Sequence, residues 1–162
     1  MRISWNTVGS FASVIVIAVA MGSSGLAQGP DPRIGTWKLD VAKSKYSPGP
    51  APKSGTVTFS AAGQGVKAAI DFVGPDGSKT QWGYTANLDG KPYPVTGNAD
   101  GDMVMAKRVN ANTVETTYTL KGKPTTVNTA VVSADGKTLT VTTKGTNAQG
   151  QKVDNIQVFV KA

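Results

Sequence analysis

Apolar and polar residues alternate in short runs along most of the chain. In the run 80–88, for example, Trp82, Tyr84, Ala86 and Leu88 occupy every second position. Because successive side chains of a β-strand point to opposite faces, this alternation predicts strands with one buried face. The pattern predicts about ten strands, at residues 35–40, 56–61, 66–73, 80–88, 93–96, 102–109, 113–120, 124–133, 138–145 and 152–161.

Asp-Gly pairs separate several of these runs, at 76–77, 89–90, 100–101 and 135–136. Tight hairpin turns need residues with positive φ, which Gly adopts freely and Asp tolerates. Strands joined by short turns are antiparallel neighbours. Closing a long meander removes its exposed edges. We therefore expect an all-β, antiparallel up-and-down meander that closes into a barrel, with a β-sandwich as the alternative.

The first 27 residues have the pattern of an export signal. Arg2 gives a positive start, residues 11–20 form an apolar core, and Gly25-Leu26-Ala27 fits a small-x-small cleavage site. The apolar run is shorter than the roughly 20 residues that a membrane span needs, so we expect no membrane span after signal cleavage. We expect a signal peptide at 1–27 and a single β-barrel domain at 28–162, containing a proline-rich loop at 46–54. The protein would be periplasmic or secreted.

The chain contains no His and no Cys. This removes the commonest general base, the commonest nucleophile and the usual ligands of zinc and copper, and it rules out disulfides. The acidic residues are mostly Asp in turns, which hairpin chemistry explains. We therefore expect no enzymatic activity, no metal site and no cofactor.

Lys and Arg outnumber Asp and Glu by 17 to 10, which gives a formal net charge of +7. The lysines are spread along the chain and form no block, so we expect no nucleic-acid partner. A basic surface is nevertheless attracted to an anionic surface such as a cell envelope. Two interpretations of the charge therefore stay open. The protein could be a structural or adhesive envelope module that binds a partner or polymer, or the lysines could simply keep the protein soluble.

The run Gly35-Thr36-Trp37-Lys38-Leu39 resembles the first strand of fatty-acid-binding proteins, and its Gly-x-Trp core resembles the opening signature of lipocalins. Residues 135–141, Asp-Gly-Lys-Thr-Leu-Thr-Val, together with the turn and strand that follow, are similar to the last two hairpins of fatty-acid-binding proteins. The whole pattern also resembles small exported bacterial proteins of lipocalin-like type. The resemblance implies a calycin-type barrel that binds a small apolar or amphipathic ligand, with Trp37 packed at one end.

Two departures from the fatty-acid-binding pattern bear on the ligand. Those proteins carry a helical pair after the first strand, where this chain has a proline-rich segment. They hold the ligand carboxylate with an Arg-x-Tyr pair on the last strand, where this chain reads Gln157-Val158-Phe159. An amide and a phenyl ring cannot form that charged clamp. A carboxylate would need another partner, and Arg108 is the candidate, since alternation with Ala106 would point it inward. The alternative is an exposed Arg on a strand edge.

Aromatic residues and methionines on the predicted strands supply the candidate lining of a ligand cavity. Small-molecule pockets are lined mostly by apolar and aromatic side chains, and methionine adapts to irregular surfaces. The same residues would also form an ordinary core, and this alternative stays open. The candidate ligand-binding residues are Trp82, Tyr84, Met103, Met105, Arg108, Tyr118 and Phe159.

Overall fold

The computed structural model describes residues 29–162; the expected signal at 1–27 lies outside this part of the chain. The described residues form a short 3-10 turn, Val41–Lys43, and ten strands: β1 Gly35–Leu39, β2 Ser54–Ala62, β3 Gly65–Val73, β4 Lys79–Ala86, β5 Asp89–Thr96, β6 Met103–Asn110, β7 Thr113–Leu120, β8 Lys123–Val132, β9 Thr138–Thr146 and β10 Lys152–Lys161. No helix among them is long and apolar enough to cross a membrane.

Every strand pairs antiparallel with its sequence neighbour, and the sheet closes where β1 pairs with β10. At this seam Trp37 lies opposite Lys161, and Leu39 lies opposite Phe159. The expected all-β meander barrel is therefore confirmed. The sandwich alternative is wrong, because the strands form one continuous ring and not two stacked sheets.

Alternation of side chains explains why these segments are strands. In β3, Val66, Ala68 and Ile70 are buried, whereas the intervening Lys67 and Asp71 are exposed. A strand of this composition buries its apolar set in only one register, because a slip by one residue would expose all of it. The hydrophobic pattern thus determines which face of the sheet becomes the interior.

One end of the barrel interior is filled by apolar side chains. A buried apolar layer lies there. It is formed by inward-facing residues that pair across three adjacent strands: Val132, Leu139 and Phe159. Trp37 lies in the same core, and its indole N–H donates to the carbonyl oxygen of Arg33 at 2.6 Å. Each fully buried side chain of this size contributes about 1.5–3 kcal/mol by leaving water. We call this end of the barrel the closed end.

The residues before β1 pack across the closed end. Arg33 is buried there, and its guanidinium donates to the Asp31 carboxylate, from Nε to Oδ1 at 3.1 Å and from Nη2 to Oδ2 at 2.7 Å. The guanidinium also lies over the ring of Phe59, 4.6 Å from its centroid. A buried guanidinium needs such partners, because an isolated charge in an apolar interior is strongly unfavourable.

The proline-rich segment forms a strap, residues 44–53, at the other end of the barrel. β1 pairs only with the last residues of β10, and the strap continues beside β10 where β1 has ended. Asp154 N donates to Ser47 O at 2.8 Å, and Ser47 N donates to Asn155 Oδ1 at 2.9 Å. Lys53 N then donates to Val73 O at 2.8 Å. The strap therefore bridges the gap between β10 and the β2–β3 hairpin, and β2 begins at Ser54, inside the expected loop.

The Asp-Gly pairs do not all act as expected. Gly77 and Gly136 have positive φ in tight turns, as the pattern predicts. Gly90 also has positive φ, but it lies inside β5. Gly101 has no positive φ; a Cβ there would lie 3.1 Å from the Tyr118 side chain, so any larger residue would press against that ring.

Candidate functional site at the open end of the barrel

A basin of about 570 Å³ opens at the end of the barrel opposite Arg33, beneath the strap. Its rim is formed by the strap and by the β3–β4, β5–β6 and β9–β10 turns. The side chains that reach into it are tyrosines, amides, hydroxyls and a few apolar groups, with a single carboxylate and no Lys or Arg. This is the most enclosed large space that belongs to the barrel interior, so we take it as the candidate site.

One wall of the basin carries amides and hydroxyls. Asn128 of β8 pairs with Thr143 of β9, which pairs with Asn155 of β10, so the three side chains form a polar row at one level. One level deeper, the equivalent row is Ala130, Val141 and Gln157. The interior of these strands therefore changes from apolar at the closed end to polar at the open end.

The opposite wall is aromatic. β4 and β9 are five strands apart around the ring of ten, so they face each other across the barrel. Trp82 of β4 lines the basin, together with Phe72 of β3 and Tyr118 of β7. The rings of Trp82 and Tyr118 meet edge to face, with centroids 5.6 Å apart. Such a contact holds the indole in place and leaves the wall largely preformed.

Two amides of the polar wall are oriented by the strap. Gln157 Nε2 donates to the hydroxyl oxygen of Tyr46 at 3.1 Å. Asn155 Oδ1 accepts the hydrogen bond from Ser47 N described above. In contrast, Asn128 Oδ1 is buried and accepts no hydrogen bond within the part of the chain that the structure describes. An unpaired buried acceptor is costly, so a hydrogen-bond donor that reached Asn128 Oδ1 would stabilise this wall.

A second, much smaller cavity of about 60 Å³ lies below the basin. Arg33, Tyr84, Tyr118 and Phe159 contribute to its lining. It has room for a few water molecules but not for a ligand of drug-like size. Inside the barrel only the basin is large enough for such a molecule, and the apolar end of the barrel forms its floor.

The pKa values of three ionisable groups beneath the basin are shifted by their surroundings. Burial acts to raise the pKa of Asp31, but the hydrogen bonds and charge of Arg33 outweigh it and hold that pKa below 3.8. Burial also acts to lower the pKa of Arg33, but the hydrogen bond to Asp31, the interactions with Tyr84 and the charge of Asp31 together outweigh it, so that pKa is raised. Burial, followed by the neighbouring Tyr84, raises the pKa of Tyr118 well above 10. At neutral pH the floor thus contains one compensated ion pair and a neutral phenol.

The candidate aromatic residues divide between the two cavities. Trp82 and Tyr118 line the basin, and both also reach the small inner cavity. Of these two cavities, Tyr84 and Phe159 line the inner one and not the basin, and Phe159 is almost completely buried. The core and cavity interpretations therefore each describe part of the set.

Met103 and Met105 require a correction, because the structure does not bring them to the interior. The alternate residues of β6, Val104 and Ala106, face inward and are fully buried. The two methionines lie on the outer face, on the same side of the strand as the exposed Lys107. Their side-chain chemistry alone predicts that the two methionines line the cavity. The alternation of side chains along the strand instead places both methionines on the outer face of the barrel.

Arg108 also requires a correction, since it lies at the closed end, away from the basin. It shares the inward parity of Ala106, as its alternation indicated. Its guanidinium donates to backbone carbonyl oxygens of the preceding segment, at 2.6 Å to Gly29 and 2.9 Å to Pro30, and to Ala111 at 3.2 Å. These bonds attach residues 29 and 30 to the β6–β7 turn. Arg108 is thus placed to fix the chain and not to meet a ligand carboxylate.

The polar wall was missed by reasoning from aromatic residues. A signal for it was present, because Asn128, Thr143 and Asn155 sit at inward positions of otherwise well-patterned strands. A polar residue at a core position is the informative exception to alternation. Among residues 29–162 no cluster of three His, Cys, Asp or Glu side chains could hold a metal ion.

Comparisons with known proteins find matches among solved structures. No family model matches the chain, and no curated protein matches it. Among solved structures, the zebrafish ileal bile acid-binding protein complexed with cholic acid is similar, with a TM-score of 0.47 and 12% sequence identity; the match covers 81% of this chain and 99% of that chain. We therefore derive the ligand chemistry of this chain from its own lining residues.

Proposed function

We propose that this protein is an exported, non-catalytic carrier, periplasmic or secreted, that binds a small amphipathic ligand in the basin at the open end of its barrel. The observation that carries the proposal is the division of the basin between an aromatic wall at Trp82 and Phe72 and a polar wall at Asn128 and Asn155. A ligand with one apolar and one polar face would satisfy both walls at once.

The size of the basin supports a small molecule as the ligand. Ligand pockets usually enclose about 300–1,000 Å³, and the basin of about 570 Å³ lies within that range. The strap borders it on one side, and it is open to solvent at the mouth. The apolar part of a molecule of a few tens of non-hydrogen atoms would lose water contact against the aromatic wall, which is the main source of binding free energy for apolar groups.

The proposal is tested by titrating the protein with Nile red, a neutral apolar fluorophore, and following dye emission to saturation. We expect one saturable site. Trp82→Ala removes the aromatic wall and should weaken dye binding about tenfold or more. Met105→Ala on the outer face is the matched control and should leave the dissociation constant within about twofold. Equal effects of the two substitutions would place the dye outside the basin.

An absence of saturable binding would overturn the carrier proposal. In that case the competing role, an envelope module acting through its basic surface, predicts a different result. The protein would then be retained by anionic polymer or envelope material, and added salt would release it, since exposed charges are screened. Retention that is independent of salt would contradict that role as well.

A further inference from the structure

We propose that the polar part of the ligand is an uncharged, hydroxyl-bearing group such as a sugar or polyol, and not a carboxylate, sulfate, phosphate or ammonium. This inference rests on the proposed ligand binding in the basin. It assigns hydrogen-bonding roles to the polar wall, with Asn128 at its centre.

The charge of the basin argues against an anionic head group. No Lys or Arg lies among its lining residues, and its one carboxylate, Asp100, is at the rim. Anions bound in protein pockets are held by charge-assisted hydrogen bonds, most often from Arg or Lys. An anion here would lose its hydration without gaining a cation, and it would lie near a negative rim. The buried Arg33 provides no substitute, because Asp31 already engages it.

The rim carboxylate does not make the basin a cation site either. Asp100 Oδ1 accepts a hydrogen bond from Ala148 N at 2.8 Å, which ties the β5–β6 turn to the β9–β10 turn. It is one carboxylate at the mouth, whereas the metal cations that proteins bind are usually surrounded by several carboxylate or other oxygen ligands. Because an aromatic wall attracts organic ammonium groups, the competition below includes one. The structural role of Asp100 accounts for its position.

The hydrogen-bonding capacity of the polar wall matches hydroxyl groups. Asn128 lines the basin, and its Oδ1 accepts no hydrogen bond within residues 29–162, so a hydroxyl that reached it would supply the missing donor. The strap engages the oxygen of Asn155, which leaves Nδ2 as the donor of that amide. A hydroxyl both donates and accepts, and neighbouring hydroxyls on a sugar ring could serve Asn128 and Asn155 together. A carboxylate only accepts, and its oxygen would be repelled by Asn128 Oδ1.

The aromatic wall is compatible with the same ligand class. Aromatic faces carry a negative quadrupole, which attracts polarised C–H groups. Sugar rings present C–H groups on their faces and hydroxyls at their edges. Trp82 lies across the barrel from the polar row, so a ring placed between the two walls would direct its C–H face to the indole and its hydroxyls to the amides.

The test is competition against bound Nile red by compounds that share one alkyl chain and differ in head group. The competitors are octyl glucoside, octanoate, octyl sulfate and octyltrimethylammonium, each used below its micelle concentration. We expect octyl glucoside to displace the dye at concentrations about tenfold lower than any of the charged compounds. Octanoate or octyl sulfate competing equally well, or octyltrimethylammonium competing better, would overturn the inference while leaving the carrier proposal intact.

A variant separates the role of Asn128 from general effects on the basin. Asn128→Leu keeps a similar volume and removes both hydrogen-bonding groups. We expect it to weaken octyl glucoside about tenfold, while Nile red binding changes by no more than about twofold. Asn112→Leu, on the exposed β6–β7 turn at the closed end, is the matched control and should change neither. Unchanged glucoside affinity in folded Asn128→Leu would overturn the inference, and failure of Nile red to bind the unmodified protein would instead overturn the carrier proposal.

Discussion

Removing the negative charge of Asp31 should destabilise the barrel strongly. The substitution Asp31→Asn keeps the side-chain oxygen that accepts a hydrogen bond from Arg33 N at 2.9 Å, so the local turn can persist. What it removes is the counter-charge of a guanidinium whose side chain is only 1% exposed. The perturbation therefore isolates the ion pair from the backbone geometry around it.

The magnitude follows from the burial of the pair. Removing one partner of a buried ion pair costs about 3–5 kcal/mol, because the remaining charge is left uncompensated. For a domain of this size the melting temperature should fall by about 10–20 °C. Urea unfolding followed by circular dichroism measures the free energy of unfolding directly.

A double variant provides the control. In Asp31→Asn combined with Arg33→Met no buried charge remains, and an apolar residue of similar length replaces the guanidinium over Phe59. Replacing both partners of a buried pair by well-packed groups is often close to neutral. We therefore expect the double variant to be more stable than Asp31→Asn alone. Equal stability of the two variants, or a cost below about 1 kcal/mol for Asp31→Asn, would refute the reasoning.

The pH dependence of the same variant gives a second readout. The pKa of Asp31 is lower in the folded chain than its ordinary 3.8. The resulting stabilisation is therefore present above pH 3.8 and is lost as the pH falls through the folded-state value. Asp31→Asn should lose less stability over this acid range than the unmodified protein. Parallel acid profiles of the two proteins would contradict the assignment of the ion pair.

Two further predictions concern the open half of the barrel. Gly97→Ala should be markedly more destabilising than Gly63→Ala. Both glycines have positive φ, but only at Gly97 would a Cβ meet the backbone, 2.4 Å from Gln81 O. Equal urea midpoints of the two variants would show that this close approach is unimportant. Tyr118 should stabilise the fold less above pH 10, because its pKa is raised well above that value by burial and the unfolded chain ionises first. The free energy of unfolding should therefore decrease above pH 10, and it should decrease less in Tyr118→Phe, which has no phenol to ionise. If the two proteins lost stability equally over this pH range, the result would be inconsistent with a buried phenol at Tyr118.

The strands were predictable because alternation acts locally and repeats along the chain. The boundaries of β7 and β10 match the sequence prediction completely. β5 is longer than predicted, at Asp89–Thr96 against 93–96, because the Asp89-Gly90 pair predicts a turn where the structure already has strand. In the ring, β5 pairs with β4 at only two residue pairs, so a strand containing two prolines is tolerated beside a sparsely paired neighbour.

The candidate site was less predictable, because it depends on which end of each strand lies at the mouth. Aromatic chemistry correctly predicts that Trp82 and Tyr118 line the interior. The chemistry of methionine predicts the same for Met103 and Met105, but the alternation of side chains along β6 places both on the outer face. The pairing of Arg33 with Asp31 depends on a segment that precedes the first strand and carries no periodic signal. The position of such residues depends on how the ten strands close into a barrel, and the local sequence pattern does not specify that closure.

The seam between β1 and β10 has a consequence for how the chain is made. The partner of the first strand is the last to leave the ribosome, and at about 5–20 residues per second the interval between them is on the order of ten seconds. During that time β1 has an open edge on which another nascent chain could add a strand. A protein truncated before Phe159 would keep that edge permanently, so C-terminal truncation should promote aggregation rather than yield a smaller soluble barrel.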